Sequence, residues 1–406
     1  RLDLASPDTV PESYGSGVVI HESGLVLTNF HVIEKAKKVF VRLPGPDRAS
    51  YADILAADPR ADLAVLKLIR GPGDLKPIKF GDGGKVRKGD WVISLANPFA
   101  AGFRDGSPSA SWGIISNLRR PAPPPGPVDE AKRAKPLAQY AFLIQTDARL
   151  NLGCSGGALL NLDGELIGLS TALAARTGGE AAGGYAIPMD ANVKKMIEVL
   201  KRGEEIEYGF LGVTIPSDAR SDSFGVEIGG VAPGMPAARA GLIAQDTIVA
   251  INGNPVRDHD DLFLHISAAL AGSEADIEVR RNGTTRTFRA RLAKAPPGEW
   301  ADKAIASNRP KSVYGIRVDY ASTMSLDSNP PEGVLVKDLE PGSPAEKKLK
   351  EWSARARLIV IAVDGKPVPT PADFYRAAAG KGSVTLDVIE ATSRDADPKR
   401  ERVTLP

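Results

Sequence analysis

Asn151-Leu152-Gly153-Cys154-Ser155-Gly156-Gly157-Ala158-Leu159-Leu160 is the stretch on which the reading of this chain turns. Glycines on both sides of Ser155 let the backbone turn tightly and let another chain approach closely. The N–H groups of Gly153 and Ser155 can point at one spot, the arrangement that stabilises a developing oxyanion. Alone, the pattern also suits a glycine-rich hairpin turn. A nucleophilic serine needs a base and a carboxylate that orients the base, and these have to come from elsewhere in the chain.

Four histidines shorten the search. His31 ends the apolar run Leu27-Thr28-Asn29-Phe30-His31-Val32. His21 lies on a turn, and His259 and His265 lie near Asp258, Asp260 and Asp261 at a helix start. Asp62 leads straight into Leu63-Ala64-Val65-Leu66, where a buried carboxylate is costly unless a donor holds it. An imidazole N–H is such a donor. Asp58, before Pro59, reads as a turn residue.

Outward from these motifs, residues 14–188 alternate short apolar runs with Gly, Asn, Asp and Pro, the pattern of a barrel or sandwich of short strands. Residues 190–203 read as a closing helix, capped by Asp190 or Asn192, with Val193, Met196, Ile197 and Leu200 on one face. The remainder repeats itself. Gly225-Val226-Glu227-Ile228, Pro233-Gly234-Met235-Pro236-Ala237 and Ile248-Val249-Ala250-Ile251-Asn252-Gly253 return as Gly333-Val334-Leu335-Val336, Pro341-Gly342-Ser343-Pro344-Ala345 and Val360-Ile361-Ala362-Val363-Asp364-Gly365. The first two elements recur 108 positions on and the third 112, so two copies of one small α/β module are expected. The expected division is 1–206, 207–294, a linker at 295–311, and 312–406. The proline-dense run that begins at Arg119 and continues to about residue 136 is expected to be an exposed loop.

The 406 residues are 42% hydrophobic and 25% charged with net charge +2, which excludes a wholly disordered chain and a coiled coil. Near-neutrality and the lack of a basic, aromatic-interleaved stripe exclude a global pull toward nucleic acid. No apolar run reaches the roughly 18 residues of a membrane span. The single cysteine, Cys154, permits no intrachain disulfide, and no His/Cys cluster suggests a metal; no cofactor is expected. A chain beginning at Arg1 is expected to be a processed or shortened form.

In the order His31, Asp62, Ser155, the three segments resemble the trypsin-like serine proteases of the HtrA/DegP family. Thr28-Asn29-Phe30-His31-Val32, Asp62-Leu63-Ala64-Val65-Leu66, and Ile144-Gln145-Thr146-Asp147-Ala148 leading into Gly153–Asn161 are similar to its three motifs. Gly15-Ser16-Gly17, Ala96-Asn97-Pro98-Phe99 and Tyr185-Ala186-Ile187-Pro188 agree. The resemblance implies a mainly-β fold: a chymotrypsin-like double β-barrel followed by two PDZ-type modules. It implies Ser155 as nucleophile, His31 as base, Asp62 as its orienting carboxylate, and Gly153 and Ser155 as oxyanion donors. It also implies a primary pocket lined by Leu150, Leu152, Ser170, Thr171 and Ala172. Phe210-Leu211-Gly212-Val213 is similar to the loop that holds a peptide C-terminal carboxylate.

The resemblance further implies an endopeptidase of protein quality control, acting on unfolded proteins after small or medium apolar residues and regulated by peptide binding. The family's homo-trimers or larger assemblies and its mainly periplasmic, extracytoplasmic location are implied too. The alternatives are a non-hydrolytic chaperone or scaffold with an inactive protease fold, and a peptide-binding adaptor. Three departures stand out. Cys154 replaces the family's usual Asn. The proline-rich segment lengthens the path from Asp62 to Ser155 to 93 positions, over a region (119–140) whose family counterpart senses the PDZ domain. The second repeat lacks counterparts of Gly241 and Asp246, which puts its peptide binding in doubt and points to a role in assembly.

Overall fold

The computed structural model describes residues 13–45, 48–102, 105–120, 143–171, 184–216, 224–298, 301–324, 331–391 and 399–406. The chain forms two compact units: Arg1–Ile206 with Glu299–Arg309, and Glu207–Gly298 with Pro310–Pro406. The described residues are 41% strand and 16% helix, a mainly-β fold.

In the first unit, β1 (Val18–His21), β2 (Leu25–Thr28), the short helix α1 (Phe30–Ile33), β3 (Val39–Arg42), β4 (Ala49–Asp58) and β5 (Leu63–Leu68) follow in order. Their sheet runs β1-β2-β5-β4, with β3 also pairing β4. Ile305–Ala306, inside the expected linker, pairs antiparallel with Ala57 and Ala56 of β4. A second set closes into a barrel: β6 (Trp91–Ala96), β7 (Ser109–Arg120), β8 (Leu143–Thr146), β9 (Ala158–Leu160), β10 (Leu166–Thr171) and β11 (Gly184–Pro188), in the order β10-β11-β8-β7-β6-β9. Among the described residues only this second set closes on itself, whereas the resemblance implies two barrels. Val92, Ile115, Ile144, Leu159 and Ile167 fill the closed barrel, and Val26, Phe30, Ile33 and Leu66 are buried against the first sheet. Strand alternation sends these side chains inward, so the sheets are held by apolar burial worth about 1.5–3 kcal/mol per large side chain.

The closing helix is α2 (Ala191–Lys201), capped by the Asp190 carboxylate, which accepts the N–H groups of Asn192 and Val193. Its buried face is Met196, Ile197, Val199 and Leu200; Val193 is half-buried, so the face is rotated slightly from the expected one. Strand β7 runs through Arg119 to Arg120, which pairs with Leu143. The expected loop therefore starts no earlier than residue 121, and 121–142 lie outside the described residues.

The second unit carries both sequence repeats. The first builds a sheet from Val226–Glu227, Thr247–Ile251, Glu274–Arg281 and Thr284–Arg291, with helices at Pro236–Ala240 and His259–Ala268. The second builds its sheet from Ile316–Tyr320, Val334–Leu339, Arg357–Val363, Val384–Ala391 and Arg400–Leu405, with helices at Pro344–Ser353 and Pro371–Ala378. The difference in sequence has a local cause. The first repeat's helix stops after five residues at Gly241, whose φ of 87° suits glycine and whose N–H reaches back to the Ala237 and Ala238 carbonyls. The second repeat has no glycine there, and its helix continues for ten residues to Ser353.

Asp246, lost from the second repeat, staples the first. Both its oxygens accept from Arg281 at 2.6 Å, it is fully buried, and Arg281 stacks on Phe288 at 4.7 Å. Burial pushes the Asp246 carboxyl pKa up, but the Arg281 guanidinium and the Ile243 N–H outweigh it and hold the value below the usual carboxylate range. A depressed folded pKa contributes stability above the unfolded value near 4 and loses it as pH falls through the folded value. Asp246→Ala is expected to lower the unfolding midpoint of this unit in denaturant titration, because Arg281 keeps only its bond to the Gly241 carbonyl and the Ile243 N–H loses its acceptor, and to flatten its loss of stability below about pH 4. An unchanged unfolding midpoint would contradict the staple.

Candidate active site

The site is built where β5 begins. Asp62 adopts a left-handed φ of 51°, unusual for a side chain with a Cβ and costing about 1 kcal/mol or more. The neighbourhood holds it there. The Asp62 carbonyl accepts the Phe30 N–H at 3.1 Å and the Asn29 side-chain amide at 3.0 Å. Asn29 begins α1 yet makes no capping bond to that helix: its side-chain N–H is aimed at the Asp62 carbonyl, and its Oδ1 is buried without a hydrogen-bond partner among the described residues. Asp58 secures the approach by accepting the Ala61 N–H at 2.6 Å, as a turn residue does.

The Asp62 carboxylate, 3% exposed, then grips His31 twice. One oxygen accepts the His31 backbone N–H at 2.8 Å, and the other accepts Nδ1–H at 2.8 Å. The ring's orientation and its tautomer follow together: with Nδ1 donating, Nε2 is the basic nitrogen. The ring is 26% exposed, so it keeps access to an incoming group. His21, the other histidine of this unit, bonds Ser23 at 2.9 Å on an exposed turn, and His259 and His265 belong to the helix 259–268 of the other unit.

The Ser155 loop is stapled to the first sheet through Gly15-Ser16-Gly17. The Ser16 N–H donates to the Ser155 carbonyl at 2.8 Å, and Thr28 Oγ1 donates to the Ser16 carbonyl at 2.7 Å. A Cβ on Gly15 would stand 2.6 Å from Val32 and 3.2 Å from the Ser155 carbonyl oxygen. The neighbour of His31 and the serine loop thus converge on one glycine. Gly156, at φ +83°, has no room for a side chain either, since its Cβ would meet the Ser16 carbonyl at 2.2 Å. Ser155 itself is buried, 7% exposed.

The peptide before the serine is fixed from the other side. Ser16 Oγ donates to the Gly153 carbonyl and accepts the Asn97 N–H, both at 2.8 Å. The Phe99 N–H donates to the Leu152 carbonyl at 2.7 Å. In a trans peptide C=O and N–H point opposite ways, so this bond turns the Gly153 N–H away from Phe99. Gly153 stands at φ +95°, and a Cβ there would strike the Asn97 carbonyl at 2.4 Å and the Tyr14 ring at 2.8 Å. Ser16, Asn29, Asn97 and Phe99 lie in segments that carry the sequence resemblance, but no part was assigned to any of them individually from sequence.

Cys154 is buried, and its Sγ accepts the Asn151 N–H at 3.3 Å. Burial pushes its thiol pKa up, so it stays protonated and a poor nucleophile. Of the expected pocket residues, Ser170 and Thr171 are buried on β10, and Leu150 packs where a Cβ on Gly184 would stand, at 2.2 Å. Leu152, expected at the pocket floor, is 53% exposed. Ala172 lies outside the described residues. Among the described residues, no group of three or more His, Cys, Asp or Glu is placed to hold a metal, and no helix is long and apolar enough to cross a membrane.

In the other unit, Phe210-Leu211-Gly212-Val213 makes a tight passage between two short strands. Gly212 has φ +79°, and a Cβ there would lie 2.3 Å from the Met235 side chain. The Leu211 and Gly212 carbonyls accept the Ala237 and Ala232 N–H groups, both at 2.9 Å.

The trypsin-like peptidase family model matches residues 15–169, and the PDZ domain family model matches residues 209–292. The probable periplasmic serine endoprotease DegP-like of Brucella suis is 31% identical over 395 residues, covering 95% of this chain and 72% of the relative. Its namesake from Pseudomonas putida is 32% identical over 354 residues, covering 82% and 68%. Among solved structures, the HtrA-type protease AlgW with decapeptide is similar at TM-score 0.53 and 31% identity, over 72% of this chain and 87% of that one. With a trypsin-like peptidase domain followed by a PDZ domain, and 31% identity along nearly its whole length to a DegP-like endoprotease, this chain belongs to the DegP-like, HtrA-type family of trypsin-like serine endoproteases.

Proposed function

We propose that this serine endopeptidase works through Ser155, His31 and Asp62. The observation that carries the assignment is the double grip of Asp62 on His31, which leaves Nε2 as the base. Ser155 Oγ attacks the scissile carbonyl while His31 Nε2 takes its proton. The carbonyl oxygen becomes an oxyanion, bound by the N–H groups of Gly153 and Ser155. Asp62 stabilises the imidazolium. His31 then returns the proton to the leaving amine, and water, deprotonated by His31, releases the acyl group and regenerates Ser155. Every step is a proton or acyl transfer completed by these residues.

Leu150, Leu152, Ser170 and Thr171 line the primary pocket in this reading. Leucines at its wall and no acidic side chain among the residues assigned to it favour cleavage after small or medium apolar residues. Substrates are unfolded or misfolded proteins in an extracytoplasmic space, supported by the periplasmic names of the relatives. Phe210–Val213 holds the C-terminal carboxylate of a regulatory peptide; the similar AlgW protease has been solved with a decapeptide and with a tripeptide. The repeat at 312–406 is a divergent second PDZ module, supported by its matching order of strands and helices. The assembly is a homo-trimer or larger.

A fluorophosphonate probe is expected to label the wild type and not Ser155→Ala, with labelling rising when a peptide ending in an apolar carboxylate is added. Equal labelling of both proteins would sink the assignment of Ser155. Against peptide libraries, cleavage is expected after Ala, Val or Leu; dominant cleavage after Lys or Arg would overturn the pocket reading.

A further inference from the structure

The two repeats can be superposed residue by residue from their hydrogen bonds. In the first, the Ala232 N–H donates to the Gly212 carbonyl at 2.9 Å; in the second, the Glu340 N–H donates to the Gly315 carbonyl at 2.8 Å. Val213 and Ile215 therefore correspond to Ile316 and Val318. The facing helices align by their caps: Asp258 accepts the Asp261 N–H, and Thr370 accepts the Asp373 N–H. Phe263 therefore corresponds to Tyr375.

A peptide that adds as a strand must bond alternate N–H and C=O groups of the edge strand it joins. Alternation along the strand turns the N–H groups of Val213 and Ile215 in the first repeat, and of Ile316, Val318 and Tyr320 in the second, away from their own sheet neighbour. In the second repeat all three are occupied from within. The Ile316 N–H donates to the Val313 carbonyl at 2.9 Å, and the Val313 N–H returns a bond to the Ile316 carbonyl at 3.0 Å. The Val318 N–H donates to the Tyr375 hydroxyl at 3.3 Å. The Tyr320 N–H donates to the Asp319 carboxylate at 2.9 Å, which Lys294 and Lys337 hold at 3.2 and 3.1 Å. In the first repeat, no side chain among the described residues caps the N–H groups of Val213 and Ile215. The position matching Tyr375 is Phe263, which has no hydroxyl and is 48% exposed.

We propose that only the first repeat offers its edge strand to a peptide, because in the second the Tyr375 hydroxyl, with Val313 and Asp319, already fills the places a peptide would take. One hydroxyl, present at Tyr375 and absent at Phe263, is the central difference between an open groove and a closed one. Burial pushes the Tyr375 phenol pKa up, so the group stays neutral and remains an acceptor for Val318. The long helix 344–353 and the lost glycine leave the fold intact; the closure is a separate device. The second repeat then serves the chain by packing. This inference rests on the reading that the first repeat binds a peptide carboxylate.

Hydrogen exchange on the full-length Ser155→Ala chain tests it, with and without a saturating peptide ending in an apolar carboxylate. Peptide is expected to slow exchange in 213–215 and to leave 316–320 unchanged. Tyr375→Phe is expected to speed exchange at Val318 about tenfold, with the strand 384–391 unchanged as a control for global loosening. Protection of 316–320 by peptide in the Tyr375 protein, or an unaltered Val318 rate in Tyr375→Phe, would overturn the proposal. If peptide protects neither segment while Tyr375→Phe still speeds Val318, the peptide-binding reading of the first repeat fails and the closure at Tyr375 stands.

Discussion

The Asp62 carboxylate, held almost out of water and bonded twice to His31, is the interaction around which the first unit is arranged. Such a group is costly to bury alone, and its backbone conformation is costly as well. The strand β5 behind it, the turn at Asp58 and the Asn29 amide all hold it in place. Removing any one partner would leave a buried charge or a left-handed residue without support. The strain sits where an imidazole has to be aimed, a usual place for local rules to be broken.

Ser16 ties the second half of the site to the first. Its N–H, hydroxyl and carbonyl bond the Ser155 carbonyl, the Gly153 carbonyl, the Asn97 N–H and the Thr28 hydroxyl. A single small residue at the start of the described chain therefore sets the distance between the two sheets at the loop that carries the serine. The glycines on each side have no room for a Cβ, because the Val32 and Val26 side chains pack directly against their backbone.

Much of this was legible in the sequence, and the remainder was not for definable reasons. Short apolar alternations announced the strands, and the dipeptide entry to β5 announced the buried aspartate. The repeat was visible because its turn residues recur, although only the first copy matches the PDZ family model, and the long second helix explains why the spacing slips by four positions. The exposure of Leu152 and the extension of β7 to Arg120 depend on tertiary pairing that no local pattern encodes. Tyr375 was invisible for the same reason: its meaning lies in one hydroxyl meeting one N–H some 57 positions away in the chain.

The most direct test of the account is kcat/KM of Asp62→Asn on an apolar peptide substrate, beside its unfolding curve. An asparagine keeps the shape but not the acceptor pair, so His31 loses its tautomer. The account predicts a fall of about 10⁴-fold with the fold retained. Activity within about tenfold of wild type in a folded variant would contradict it.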